Sequence, residues 1–456
     1  MPKINLEDTI AALSTPPGEG GMAVIRVSGK EAVFLCQKFF ESSSPQNGKL
    51  SRAPTHTIHH GRFVDEKGEM IDEVLMNLFR SPHSYTGEEV VEINCHGGMR
   101  VTKRIFEILT RNGARHAEPG EFTKRAFLHG KMDLTQAEAV LDLIRSRSDR
   151  GLETALQQLQ GSLSKKIILL KDSLMKIYAH FEASLDFPDE HLEMDSKEKF
   201  LKRIEEIDGE ISSLIASFRR GQAMREGILT VIVGRPNVGK SSLLNALLQK
   251  DRALVSEIPG TTRDSLEEMI EIGGMAVRLV DTAGLAASGD PLDRLGMERT
   301  RRYLDEGSLF LFLVDGSSPW TPEDQTISDE LEEKNYLFVV NKTDLPQKLD
   351  RANQNPCLIS CLKQKGIEEL VKRIGEKIET VNFHESATLT RLRHKQAFEK
   401  SLESLREAKQ ALEEDLSAEF ILEDLKKSVE SLQELVGEIY SEDFLDVIFQ
   451  EFCIGK

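Results

Sequence analysis

Gly234-Arg235-Pro236-Asn237-Val238-Gly239-Lys240-Ser241 decides the fold at the centre of this 456-residue chain. Its spacing is G-x-x-x-x-G-K-[ST], in which the glycines let backbone N–H groups close around phosphate oxygens and a helix N-terminus adds a favourable field. The flanks are the ones that chemistry needs. The apolar run Leu229 to Val233 predicts a buried strand before the loop, and Ser242 to Leu248 predicts a helix after it. Lys240 is expected to reach the β- and γ-phosphates, and Ser241 to ligate Mg2+. Val238, Gly239 and Ser242 complete the loop on either side of them.

Further apolar runs follow at Val277 to Val280, Leu309 to Val314 and Leu337 to Val340, alternating with helical patterns. They suit buried parallel strands in a doubly wound sheet, which binds ligands beyond the carboxyl ends of its strands. Asn341-Lys342-Thr343-Asp344 stands at such an end. A carboxylate there accepts two hydrogen bonds from guanine N1–H and the exocyclic amine; adenine offers no such pair. Ser360-Cys361-Leu362 resembles the backbone segment that closes over guanine in GTPases, with Cys361 where Ala is usual. The nucleotide expected is therefore GTP.

Asp281-Thr282-Ala283-Gly284 follows the strand Val277 to Val280. Asp281 is expected to hold Mg2+ through water, and the Gly284 N–H to sense the γ-phosphate. Thr262, on the loop Gly260-Thr261-Thr262, would complete the Mg2+ shell. These two segments are the natural switches, ordered by the γ-phosphate. Leu285 stands where many small GTPases carry the glutamine that orients the attacking water. Either hydrolysis is slow or another residue orients the water. Positive charge near the β–γ bridge must come from an arginine finger or a bound monovalent cation.

The chain is too long for one ordinary core. Pattern divides it into 1–125, mixed strands and helix; 126–226, helical; 227–380, the nucleotide-binding α/β region; and 381–456, helical again. In the first, Met22 to Val27, Val74 to Phe79 and Val90 to Asn94 read as strands, and Met99 to Arg111 as a helix. In the second, Leu152, Leu156, Leu159, Leu163, Ile167, Leu170, Leu174, Ile177 and Phe181 predict one stripe down a long helix, with another from Phe200 to Arg220. In the fourth, Leu425, Val429, Leu432, Val436 and Ile439 form a stripe. Helix before and after suggests that the α/β region is inserted into one bundle; two separate bundles is the alternative.

A net charge of −17 argues against nucleic-acid binding by broad phosphate neutralisation, so a nucleic-acid substrate would need a partner's grip. Five cysteines, odd in number, make a disulfide framework unexpected, and Cys357/Cys361, Cys95-His96 and His59-His60 complete no zinc spacing. No stretch of eighteen apolar residues suggests a membrane span and the N-terminus has no signal-peptide core, so a cytoplasmic location is expected.

The whole chain resembles the MnmE (TrmE) family of bacterial tRNA-modification GTPases. The resemblance rests on Asp8-Thr9-Ile10-Ala11 with Thr15-Pro16-Pro17-Gly18, on Ile25-Arg26-Val27-Ser28-Gly29, and on Ser84-Tyr85-Thr86-Gly87-Glu88. His96-Gly97-Gly98, Pro119-Gly120-Glu121-Phe122, Arg125-Ala126-Phe127, Gly260-Thr261-Thr262-Arg263-Asp264, Asp281-Thr282-Ala283-Gly284-Leu285 and the terminal Phe452-Cys453-Ile454-Gly455-Lys456 extend it. It implies a multidomain α/β plus all-α protein: an N-terminal α/β folate-binding and dimerisation domain, a helical bundle, and an inserted Ras-like doubly wound P-loop G domain. It also implies a homodimer that works with an FAD-dependent, MnmG-type partner in a heterotetramer or larger complex. That complex would install an aminomethyl or carboxymethylaminomethyl group at carbon 5 of the wobble uridine of certain tRNAs, the carbon coming from 5-formyl- or 5,10-methylene-tetrahydrofolate.

Family roles carried onto matching positions give folate contacts at Arg26, Glu92, Lys131 and Lys456, and a K+ site at Asn237, Ser256, Ile258 and Thr261 within the segment Ser256-Glu257-Ile258-Pro259-Gly260. Ser256 replaces the family's common Thr, a change that a backbone carbonyl ligand would not feel. The family's water-orienting Glu falls on Asp293, one methylene shorter, with Glu298 as a substitute elsewhere on the helix. Cys453 is either a nucleophile beside the folate or a small buried residue that packs the terminus so that Lys456 sits correctly. Against this stands a regulatory GTPase switch in ribosome assembly or signalling, with which the G-domain strings agree equally; the N-terminal strings and the terminal Cys-Ile-Gly-Lys favour tRNA modification.

Overall fold

Alternation with a period of two builds the N-terminal sheet. In β4 (Thr57–Val64), His59, Gly61 and Phe63 are buried while Ile58, His60 and Arg62 are exposed. With β1 (Thr9–Leu13), β2 (Gly20–Ser28), β3 (Phe40–Ser42), β5 (Met70–Phe79), β6 (Val90–Gly97) and β7 (Ala114–His116), it forms a sheet of order β3-β4-β5-β6-β2-β1-β7. β1 and β7 pair in parallel and the remaining neighbours are antiparallel. Ile25, Val27, Phe63, Met76, Leu78 and Ile93 on its inner face share a core with Ile105 and Leu109 of the helix Met99–Arg111. The structure is a computed structural model describing residues 7–43, 49–186, 196–251, 267–281, 303–350, 355–379 and 388–456. They divide into two compact units, Met1–Leu141 with Val429–Lys456, and Asp142–Ser428.

The C-terminus belongs to the first unit. Lys124 of the helix Glu121–Leu128 pairs at 2.5 Å with Asp446 of the helix Glu442–Phe449. Phe452 is buried behind them, and its ring lies against Phe449. Beneath the helix Glu121–Leu128 lies a buried ion network. Arg125, wholly buried, binds the Asp8, Glu88 and Glu121 carboxylates and the Asp8 carbonyl, while Arg115 joins Asp8 and Glu121 from the other side.

In the second unit, β8 (Ile228–Val233), β9 (Glu267–Ile272), β10 (Met275–Asp281), β11 (Leu309–Asp315), β12 (Tyr336–Asn341) and β13 (Cys357–Leu358) form a sheet of order β13-β12-β11-β8-β10-β9. Its pairings are parallel except β9 with β10. β8 and β11 are buried along their whole length, as strands covered on both faces must be. One cluster gathers Ile232, Leu279 and Leu311 with Leu243 and Leu247 of the helix Lys240–Asp251 and Leu370 of the helix Ile367–Glu379; another gathers Val231, Phe310, Phe312 and Phe338.

Chain leading into this sheet meets chain leaving it. Asp142 accepts from Arg225 at 2.9 Å and from Arg391 at 2.7 Å, and the Gln158 amide donates to the Thr388 carbonyl. A Cβ on Gly221 would come 2.2 Å from the Leu389 carbonyl oxygen, so glycine allows the helix Lys197–Glu226 this approach. The chain is thus multidomain α/β plus all-α, with a Ras-like sheet set into helices.

Two helical expectations differ from the structure. The stripe from Leu152 to Phe181 is carried by two helices, Asp149–Leu159 and Ser162–Asp186. Gly161, at φ +82°, takes the left-handed turn that ends the first. Leu163, Ile167, Leu170, Leu174, Ile177 and Phe181 are buried, whereas Leu152 and Leu156 are exposed. The last stripe likewise stops at Val436, because Gly437 is left-handed, and Ile439 is exposed beyond it. Periodicity persists across such breaks because one glycine shifts the helical phase without changing the spacing of leucines.

Candidate functional site

The phosphate loop joins β8 to the helix Lys240–Asp251, as its spacing predicts. Gly239 has φ +102°, and a Cβ there would come 2.4 Å from the Asn341 side-chain nitrogen, so any other residue would be strained and would displace that amide. The Lys240 ammonium donates to the carbonyls of Gly234 at 2.6 Å and Arg235 at 3.0 Å. Burial pushes its pKa down and the nearby Asp281 opposes that shift. The Ser241 hydroxyl donates to the Asp281 carboxylate at 2.6 Å. That contact brings together two hard oxygen donors from the ends of different elements, a set that fits Mg2+.

The segments expected to read guanine converge on the same loop. Asn341, buried at the end of β12, donates to the Val238 carbonyl at 2.9 Å and accepts from the Cys361 N–H at 3.1 Å. Lys342 donates to the Asn237 carbonyl at 3.0 Å. Thr343 holds the Ile359 carbonyl through both its N–H and its hydroxyl. Ser360 donates to Asp344 at 2.6 Å, and this hydrogen bond holds the carboxyl below its ordinary range. The hydrogen bond therefore favours the anionic form of Asp344, the form that accepting from two donors would need. Cys361 is nearly buried, its thiol pushed up to about 11 by burial, and Leu362 is exposed. The substitution of Cys for Ala at 361 leaves the backbone contact with Asn341 in place.

Asn237 is exposed in this loop, with left-handed backbone at φ +65°. The other cation positions, Ser256, Ile258 and Thr261, lie outside the described residues, as do Glu257, Pro259, Gly260 and Thr262. Thr282, Ala283, Gly284, Leu285, Asp293 and Glu298 lie outside them too.

In the first unit, β2 and β6 pair so that Arg26 faces Glu92. The guanidinium reaches the carboxylate at 2.9 and 3.0 Å. It lies 5.2 Å from the Tyr85 ring centroid and 5.5 Å from that of Phe122, and its outer nitrogen reaches the Gly455 carbonyl at 3.5 Å. The terminal segment is held there by its backbone: Phe122 N–H donates to the Lys456 carbonyl, and Gly120 N–H to that of Cys453. Burial, then the Arg26 charge, pushes the Lys456 ammonium below its ordinary pKa, against the pull of Glu92 and Cys453. Two cations and one carboxylate thus converge beside two aromatic rings. Lys131 stands apart from these contacts, donating to the Pro82 carbonyl at 2.9 Å.

The expectation of Cys453 as a buried packing residue is overturned. Its side chain is exposed, and Phe452 and Gly455 do the packing. Gly455 has φ +95°, and a Cβ on it would lie 2.5 Å from the Leu13 carbonyl oxygen. Sequence reasoning passed over Tyr85 and Phe122 as partners of Arg26, although both lie inside strings that carry the resemblance. It also passed over Asp315, which closes β11 against Lys342; the signal available was an acidic residue ending an otherwise apolar strand.

The comparisons with known proteins span the whole chain. Residues 9–131 match the family model described as the GTP-binding protein TrmE N-terminus, and residues 134–453 match that of the MnmE helical domain. The tRNA modification GTPase MnmE of Alkaliphilus metalliredigens is 44% identical over 462 residues, covering 99% of this chain and 100% of its own length. That of Natranaerobius thermophilus is 45% identical over 460 residues, with the same coverage. Among solved structures, Era from Aquifex aeolicus matches 39% of this chain and 66% of its own at 27% identity, with a TM-score of 0.27. The two family models and the identity over the full length together mean that the chain belongs to the MnmE family of tRNA modification GTPases, enzymes that hydrolyse GTP.

Proposed function

We propose that this GTPase is K+-stimulated and Mg2+-dependent, and that as a cytoplasmic homodimer with an FAD-dependent MnmG-type partner it modifies carbon 5 of the wobble uridine of certain tRNAs. The group installed is aminomethyl or carboxymethylaminomethyl. The observation that carries the reading is the convergence of Arg26, Glu92 and the Lys456 terminus in one unit. Two cations there suit the carboxylates of a tetrahydrofolate tail, and Glu92 suits the amino edge of a pterin. Tetrahydrofolate, when bound, supplies the one-carbon unit. Lys131 would add a further cation from outside the cluster, and the exposed Cys453 thiol is free to meet the carbon as a nucleophile.

In the G domain, Lys240 would draw charge from the β- and γ-phosphates, Ser241 would ligate Mg2+, Asp281 would hold it through water, and Thr262 would complete its shell. Leu285 cannot orient water, and the family resemblance gives that role to Asp293, at the position of the family's Glu. Asn237 offers a neutral oxygen to K+, with Ser256, Ile258 and Thr261, in place of an arginine finger. The domain boundaries proposed from the sequence are 1–125, 126–226, 227–380 and 381–456, although by packing the first compact unit extends to Leu141 and includes Val429–Lys456. The decisive experiment is nucleoside analysis of wobble uridines in tRNA from cells lacking the gene. Loss of the modified uridine is expected; unchanged nucleosides would overturn the proposal.

A further inference from the structure

The phosphate loop is held at two adjacent carbonyls by two adjacent residues of the guanine-reading segment. Asn341 binds the Val238 carbonyl and Lys342 the Asn237 carbonyl, at 2.9 and 3.0 Å. The second tie has a further anchor. The Lys342 ammonium also donates at 2.7 Å to Asp315, the last residue of β11. Asp315 is itself fixed: its other carboxylate oxygen accepts from the Ser317 N–H at 2.9 Å and hydroxyl at 2.7 Å, and the residue is 8% exposed.

This relay ends on a conformation that needs holding. Asn237 has φ +65° and Lys342 φ +61°, both in the left-handed region that non-glycine residues visit at a cost. A free lysine side chain samples many rotamers, and losing that freedom opposes the contact with Asn237. Asp315 removes the penalty in advance, because a buried carboxylate with two other donors leaves the ammonium one favourable position. We propose that Asp315 is a positioning residue for nucleotide binding. It acts through Lys342 to lock the Asn237 turn, so that the loop's N–H groups face the phosphates before the nucleotide arrives. This inference stands on the GTPase site alone and is independent of the K+ and folate readings.

The test is a double-mutant cycle on the full chain, read as the Kd for a fluorescent GDP. Asp315→Asn is isosteric and keeps an acceptor for Ser317. It is expected to raise Kd about tenfold, within the range measured for coupled neighbours. Because Asp315 acts through Lys342, the same substitution in a Lys342→Ala background is expected to change Kd less than twofold. A merely structural role would weaken binding equally in both backgrounds. Ser317→Ala, outside the regular elements, serves if Asp315→Asn does not fold: it is expected to raise Kd by about threefold, again only when Lys342 is present. A wild-type Kd in Asp315→Asn, or a full loss added on top of Lys342→Ala, would overturn the proposal.

Discussion

Replacing Arg125 with Met tests whether the buried ion network holds the first unit together. Arg125 has no solvent-exposed side-chain surface, and Glu121 beside it has none either. The substitution removes one cation from three carboxylates. Each keeps other partners: Asp8 keeps Arg115, Glu121 keeps Arg115 and the Glu118 N–H at 2.8 Å, and Glu88 keeps the Ser28 hydroxyl at 2.7 Å. Breaking a buried pair by removing one partner costs about 3–5 kcal/mol, and the remaining contacts place this case near the lower end, about 3 kcal/mol. For a unit of this size, that corresponds to a Tm lower by about 6–12 °C. A single global transition is not expected of two units, so hydrogen exchange read peptide by peptide is the suitable assay. Protection should fall in β1, β2 and β7 and stay unchanged in β8 and β11.

The effect should also depend on pH, with a definite sign. Against the upward push of burial, hydrogen bonds from Arg115 and Arg125 hold the Asp8 carboxyl below its ordinary value. A depressed carboxylate contributes stability above its unfolded pKa, about 3.9, and that contribution is lost as pH falls through the lower folded value. The gap between wild type and Arg125→Met should therefore be full at pH 7 and narrow below pH ~4. A loss under about 1 kcal/mol at pH 7 would refute the reasoning, because it would mean that the carboxylates find water or new partners at little cost.

Four further outcomes are expected. GTP turnover should be several-fold higher in K+ than in Na+, and Asn237→Ala should abolish the difference; equal wild-type rates in both salts would count against the cation site. Asp293→Asn should lower kcat by at least tenfold with little change in GDP affinity, and unaltered turnover would remove Asp293 from the catalytic set. Asp344→Asn should weaken GTP binding and favour xanthosine triphosphate, whose base presents an acceptor where guanine has its amine; competition binding would reveal an unchanged preference. Cys453→Ser should leave GTP turnover intact; if the thiol is the nucleophile, tRNA modification in the reconstituted complex should fall, and full modification would exclude that role.

The nucleotide site was legible in the sequence because it is built from short contiguous strings at the ends of strands. Gly234 to Ser241 encodes its strand, turn and helix within a few residues, so local geometry alone settles where Lys240 and Ser241 stand. Asn341 to Asp344 was readable for the same reason, as a polar string at the end of an apolar run. The helical breaks at Gly161 and Gly437 were hidden because apolar spacing continues through a left-handed turn.

What only the tertiary structure decided involves partners far apart in the chain. Arg26 meets Glu92 across 66 positions by strand register, and the Gly455 carbonyl across 429 by the return of the C-terminus. Neither register nor return path is encoded in the strings themselves; both follow from which apolar faces pack together. Lys342 and Asp315 are likewise joined only because β11 and β12 lie side by side and end together. Sequence by itself determined where the phosphate-loop string and the Asn341-to-Asp344 string fall at the ends of strands, because single elements carry them. Packing determined which charges hold them in place, because a charge is positioned by whatever the core brings beside it.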